Sequence, residues 1–340
     1  MISRNNRINA FITLGKFLTD DHNTQEIEDW VITANRKNNW FTPSNSASSL
    51  HAIANEFLNE TKLTEWASGY SEPASMKKVG VVMAGNIPAV GFHDALCVLM
   101  SGHTLLAKPA SDDQILIHAL MNKLIEIEPG FKEHIKFVER LNEADAYIAT
   151  GSDNTARYFH YYFSNKPHII RKNRTSVAVI TGDETSEDLA AMGTDIFQYF
   201  GLGCRNVSKL FVPQGYDFTK FYESVESFKS VCLNHHKYFN NYEYNKSILL
   251  VNGVHHFDNG FLMLVESSAL VSPISVLHYE NYESLNVISE FLETSQEKIQ
   301  CIVGNADSNI KDIIPFGQAQ QPGLYDYADS VDTMEFLSGL

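Results

Sequence analysis

Cys204 is the residue whose setting best suits covalent chemistry. It stands in Gly-Leu-Gly-Cys-Arg-Asn, residues 201–206, where Gly203 lets the backbone turn sharply and lets a substrate approach closely. A thiol is a good nucleophile only as the thiolate, which a nearby cation or backbone N–H groups would favour. Taken alone, such a cysteine is more often a small buried hydrophobe. Three upstream groups change that balance. Asn86 precedes Ile87-Pro88, Lys108 precedes Pro109-Ala110-Ser111, and Gly151-Ser152 follows Ala-Tyr-Ile-Ala-Thr, so each group comes directly after a short apolar run.

The pattern around these residues predicts the elements that position them. Ser186 is a candidate N-cap, with Glu187 and Asp188 in a first turn where acids favour the helix dipole. Leu189, Gly193, Ile196, Phe197 and Phe200 then give one apolar helix face, and Gly201 and Gly203 end it. Residues 1 to about 70 read as helices with apolar faces at Ile8, Phe11, Leu14 and at Leu50, Ile53, Phe57, joined by a polar loop holding Pro43. From Lys78 the chain alternates between strands and helices, with strands at Val-Gly-Val-Val, 104–107, 135–138, 146–150 and 177–181. That alternation implies right-handed crossovers and a mostly parallel, doubly wound sheet. Ligands bind at the carboxyl ends of such strands, where Asn86, Lys108 and Gly151-Ser152 would sit. In the second half strands are expected at 209–212, 248–251 and 275–279, with helices near 218–228 and 282–294.

Composition narrows the function classes. The chain has 340 residues, 44% hydrophobic and 20% charged, with a formal net charge of -15. That describes a globular protein of two domains and argues against nucleic acid as a partner, since no basic face is available. Cys97, Cys204, Cys232 and Cys301 lack metal-ligand spacing, and a reduced cytoplasmic setting is the simplest account. No signal peptide and no membrane span are expected. His235-His236 and His255-His256 cannot chelate as adjacent pairs, because neighbouring side chains diverge, so no metal site is expected. Asp326, Asp329 and Asp332 could bind a cation or simply form a solvated face.

Read in order, Asn86, Lys108, Gly151-Ser152 and Cys204 make the chain resemble the aldehyde dehydrogenase superfamily. Within it the chain is similar to the acyl-CoA reductases related to the fatty acid reductase of bacterial luminescence. The motifs are GNIPAVGFHDALCVLMSGHTLLAKPAS, ATGSDNTARYF, GLGCRNVSKLFVP and, much altered, ESSALVSPISVLHY. The resemblance implies an aldehyde dehydrogenase-like α/β fold. Its parts would be a helical lead-in (1–75), a dinucleotide-binding domain (76–181), a catalytic domain (182–315) and a C-terminal segment returning to the core (316–340). It further implies Cys204 as nucleophile, Asn86 and the Cys204 backbone N–H as oxyanion donors, and a cofactor site at Lys108, Ser111, Gly151, Ser152 and Glu266. The reaction implied is NAD(P)H-dependent reduction of a fatty acyl-CoA or related thioester to an aldehyde through an acyl-cysteine.

Two departures from the superfamily pattern sharpen that expectation. No residue from Pro167 to Val179 is acidic, so the general base for hydrolysing an acyl-enzyme is missing, whereas hydride or CoA needs no such base. Arg171, Lys172 and Arg174 stand there instead and could touch phosphates, acidify the thiol, or form a solvated loop. Ser111 occupies the place where NAD-selective relatives carry a carboxylate, so a 2'-phosphate is tolerated and NADPH is expected, with NADH if Asp112 or Asp113 turns inward. An acyl-phosphate reductase and a non-catalytic binding or scaffold protein remain as alternatives. Acyl-chain length and a homo-oligomeric state are left open.

Overall fold

A computed structural model describes residues 2–151, 153–306 and 310–340. The chain divides into two compact units, Met1–Asn173 with Pro322–Leu340, and Arg174–Gln321. The first opens with four helices: α1 (Arg4–Thr19), α2 (Thr24–Lys37), α3 (Pro43–Ala52) and α4 (Glu60–Ser68). Their starts follow from local chemistry. The Ser3, Thr42 and Asn59 side chains accept N–H groups at the starts of α1, α3 and α4, and Pro43 occupies a first-turn position where its missing N–H is no loss. The faces carrying Phe11, Leu14, Leu50 and Trp66 are buried in one cluster with the helices of the following sheet. The lead-in and the first sheet therefore share a core.

That sheet contains β1 (Lys78–Val82), β2 (Thr104–Lys108), β3 (Ile135–Phe137), β4 (Ala146–Thr150) and β5 (His168–Arg171). Between the strands run α5 (Phe92–Met100), α6 (Gln114–Ile127) and α7 (Asp153–Phe163). The strands are all parallel, in the order β3-β2-β1-β4-β5. β1 is β-branched and its central residues are buried, as a strand covered on both faces requires.

The second unit contains β6 (Thr175–Val179), α8 (Ser186–Phe197), β7 (Val207–Pro213), α9 (Thr219–Val225), α10 (Lys229–Asn234), α11 (His236–Val251), β8 (Phe257–Asp258), β9 (Met263–Glu266), β10 (Val276–Tyr282), α12 (Leu285–Thr294), β11 (Ile299–Gly304) and β12 (Ile313–Ile314). Its sheet runs β12-β11-β6-β7-β10-β9-β8, parallel except for the β8–β9 pair. The chain then returns to the first unit as α13 (Thr333–Ser338).

Several expectations are corrected. The strand near 177–181 does not close the first sheet. β6 pairs with β7 and β11, while β5, a short run flanked by basic residues, takes the edge beside β4. Residues 248–251 are the end of helix α11, where Leu250 and Val251 are exposed; a four-residue apolar run cannot by itself tell strand from helix. β11 was not anticipated. The cap of α8 is Thr185, one residue before the expected Ser186: its hydroxyl accepts the Asp188 N–H while Asp188 accepts the Thr185 N–H, a reciprocal capping box.

Candidate active site

In the first unit the sheet changes direction between β1 and β4, the point where doubly wound sheets form a ligand crevice. The topology brings Asn86, Lys108 and Gly151 to the carboxyl ends of three neighbouring strands, β1, β2 and β4. Asn86 is exposed in the loop after β1 and Lys108 is the exposed last residue of β2. That loop is held closely. The Met83 N–H donates to the Lys108 carbonyl at 3.1 Å, and the Ser49 hydroxyl donates to the Pro88 carbonyl at 2.7 Å. Gly85 is needed there, since a Cβ would lie 2.6 Å from the Cβ of Ala110. The Gly151 N–H donates to the Arg171 carbonyl at 3.3 Å. Ser152 lies outside the described residues.

Ser111 and Asp112 are exposed in the turn before α6, but Asp113 is buried beneath the Asn86 loop. Its two carboxylate oxygens face the backbone of Ala89 and Val90 without a hydrogen bond of full geometry. Burial pushes this carboxyl well above the usual range, and the two backbone amides only partly oppose that.

Arg171 does not serve as a phosphate-binding or solvated residue. It is buried, and its Nη1 donates to both Asp94 carboxylate oxygens at 2.8 and 2.6 Å while Nη2 donates to Thr333 Oγ1 at 2.8 Å. Lys172 is exposed, and Arg174 donates to the Gln296 and Ile299 carbonyls. The C-terminal aspartates have local partners. Asp326 accepts the Gly323 N–H, and Asp332 caps α13 while accepting the Tyr70 hydroxyl. His235 caps α11 by accepting the Tyr238 N–H and stacks on Phe200.

In the second unit the segment after α8 turns earlier than the glycines suggest. Tyr199, Phe200 and Gly201 have φ of 54°, 57° and 76°, three successive left-handed residues. Two are aromatic and pay a steric penalty that glycine avoids. Both rings are buried, which offsets that strain. Cys204 follows, half-buried. Its loop is tied on several sides. The Ser176 hydroxyl donates to the Cys204 carbonyl at 3.0 Å, and Asn206 Oδ1 accepts the Gly203 N–H at 2.8 Å. Asn206 Nδ2 donates to the Gln198 carbonyl at 2.8 Å and the Asp195 carbonyl at 3.0 Å. Arg205 Nε donates to the Ala319 carbonyl at 2.6 Å. The Asp195 carboxylate accepts the N–H groups of Gly317 and Ala319 at 2.6 and 2.9 Å.

Glu266 is not brought to Cys204. It ends β9, accepts Asn281 Nδ2 at 3.2 Å, and lies level with Tyr279 of β10, which lies level with Leu210 of β7. The intervening strand β10 and the stretch from Cys204 to Leu210 separate the two. Asp195, Asn206 and Ser176 were not singled out from sequence. A signal did exist for Asp195, a carboxylate on the same helix face as Met192 and Ile196.

The fold is that of the aldehyde dehydrogenases. An NADP-dependent enzyme of E. coli matches with TM-score 0.68 at 13% identity, covering 94% of this chain and 76% of that one. A propionaldehyde dehydrogenase from the fucose-utilisation microcompartment of Clostridium phytofermentans, solved as a cysteine-to-alanine variant, matches with TM-score 0.62 at 10% identity, covering 94% and 82%. An NAD-dependent benzaldehyde dehydrogenase from Corynebacterium glutamicum matches with TM-score 0.62 at 14% identity, covering 89% and 76%. Among curated proteins no match is found.

Residues 50–227, just over half of the chain, match the acyl-CoA reductase (LuxC) family, and the chain belongs to that family. It is accordingly an oxidoreductase of the type that acts on aldehyde or acyl groups. No helix among the described residues is long and apolar enough to cross a membrane.

Proposed function

We propose that this protein reduces an acyl-CoA, or a related acyl thioester, to an aldehyde through an acyl-enzyme on Cys204, using NADPH. The observation that carries the reading is the Cys204 loop, which fixes the backbone around a partly exposed cysteine inside the segment matched by the family. Attack of the Cys204 thiolate on the thioester carbonyl forms a carbon–sulfur bond. The resulting oxyanion requires positioned donors, the role assigned to the Asn86 amide and the Cys204 N–H. Collapse breaks the carbon–sulfur bond to CoA, which leaves as thiolate and takes up a proton.

The carboxyl ends of β1, β2 and β4 fit a dinucleotide, because Lys108 is exposed there and the topology reverses beside them. Lys108, Ser111 and Gly151 would hold NADPH, which supplies the hydride that reduces the acyl-cysteine to a thiohemiacetal. Collapse of that adduct returns the Cys204 thiol and releases aldehyde. Exposed Ser111 brings no charge against a 2'-phosphate, and Asp113 is buried under the loop at Ala89 and Val90, where burial pushes its carboxyl well above the usual range. Glu266 has no role in this reading.

The test is intact-protein mass after incubation with medium-chain or long-chain acyl-CoA, without nicotinamide. An acyl adduct on wild type, absent from folded Cys204→Ala and discharged by NADPH, is expected. No adduct with any thioester, or an adduct only from an acyl phosphate, overturns it.

A further inference from the structure

We propose that Asp195 is a positioning residue for Cys204: it anchors the backbone at 317–319 that in turn holds Arg205, and so sets the loop bearing the nucleophile. The inference deepens the proposed function, since it takes Cys204 as the reacting group.

Asp195 lies in α8, fully buried. Its Oδ2 accepts the Gly317 N–H at 2.6 Å and its Oδ1 the Ala319 N–H at 2.9 Å. Ala319 uses its carbonyl to receive Arg205 Nε at 2.6 Å, and Arg205 adjoins Cys204 in the chain. A second tether starts from the same helix residue: the Asp195 carbonyl accepts Asn206 Nδ2, and Asn206 Oδ1 holds the Gly203 N–H. Cys204 thus sits between two neighbours, Gly203 and Arg205, that are both referenced to Asp195. The 317–319 backbone also packs tightly on α8, since a Cβ at Gly317 would lie 3.1 Å from the Cβ of Ala191.

A carboxylate is an expensive choice at this place. Leu189, Met192, Ile196 and Phe197 are the buried apolar side chains of the same helix, and an apolar side chain would avoid the desolvation of a charge. What the carboxylate adds is two acceptors for two backbone N–H groups, which neither an amide nor an apolar residue can match. Among the described residues Arg205 is the charged side chain that acts on it; of the other acids of α8, both in its first turn, Glu187 is exposed and Asp188 is half-buried and bonded to Thr185. Burial raises Asp195 to about 6, opposed by the Gly317 and Ala319 amides and by Arg205. Above that pH both carboxylate oxygens accept their N–H donors. Below it one oxygen carries a proton towards an N–H donor, and the support of Arg205 loosens.

The experiment measures iodoacetamide alkylation at the Cys204 peptide against pH, in wild type and Asp195→Asn, with circular dichroism at each pH to verify folding. A lone thiol gives a log rate that rises with a slope of about one. Wild type is expected to steepen towards about two below pH 6, because two groups must lose protons, while Asp195→Asn keeps a slope of about one throughout. Acylation by acyl-CoA at pH 7.5 should fall by roughly 10- to 100-fold in the variant, the cost of slight misplacement of a reacting atom. Equal slopes in the two folded proteins overturn the proposal. If Asp195→Asn does not fold, Arg205→Met cuts the same link: a slope near one supports the proposal and a steep limb overturns it. A wild type that shows the steep limb but takes no acyl group from CoA retires the reductase reading and leaves the positioning role standing.

Discussion

Replacing Asp94 by alanine should unfold the first unit far more readily while leaving the chemistry of Cys204 in the folded protein intact. Asp94 is in the first turn of α5, directly after the Asn86 loop, and its carboxylate takes both bonds from Arg171 Nη1 at 2.8 and 2.6 Å. The side chains are 3% and 10% exposed for Arg171 and Asp94, so little water can replace the lost partner. Arg171 Nε already lacks an acceptor. After Asp94→Ala a buried guanidinium would keep only Thr333, and breaking one side of such a pair costs about 3–5 kcal/mol. With a urea dependence of about 2.5 kcal/mol per molar, the midpoint should fall by roughly 1–2 M. Trp30, Trp40 and Trp66 are the three tryptophans of the chain and all lie in the first unit, so their fluorescence follows its unfolding. A loss below about 1 kcal/mol would refute the assignment of Arg171 as a buried structural cation. The double change Asp94→Leu with Arg171→Met removes both charges and should recover most of the loss.

Ser111→Glu should turn cofactor preference from NADPH towards NADH, raising the KM for NADPH at least tenfold with little effect on acylation of Cys204; unchanged selectivity would remove Ser111 from the cofactor site. Asp195 also makes a prediction about stability. Its carboxyl is raised from 3.8 to about 6 in the folded protein, so the fold binds the extra proton, and the stability this gives is present at low pH and lost as pH rises through 6. Urea titrations should show wild type losing about 2–3 kcal/mol relative to Asp195→Asn between pH 4 and pH 7. A difference that stays flat, or moves the other way, would show that Asp195 is not a desolvated carboxylate.

The sequence by itself determined the fold class, the order of the motifs and the identity of the family. These are local properties: β-branched runs, helical spacing and a cysteine between a glycine and an arginine are visible within a window of a few residues. The tertiary structure decided what depends on distant partners. β6 belongs to the second sheet because its neighbours, β7 and β11, come later in the chain, and nothing in Thr-Ser-Val-Ala-Val specifies them. Arg171 is a structural cation because Asp94 and Thr333 enclose it from 77 residues before and 162 after. Glu266 stays away from Cys204 because strand register, which motif order does not encode, sets its level in the sheet. Asp195 reads as one acid on an apolar helix face until the chain returns at Gly317 and Ala319 to place two N–H donors on it. Burial and pairing are properties of the assembled chain, and no window of a few residues contains them.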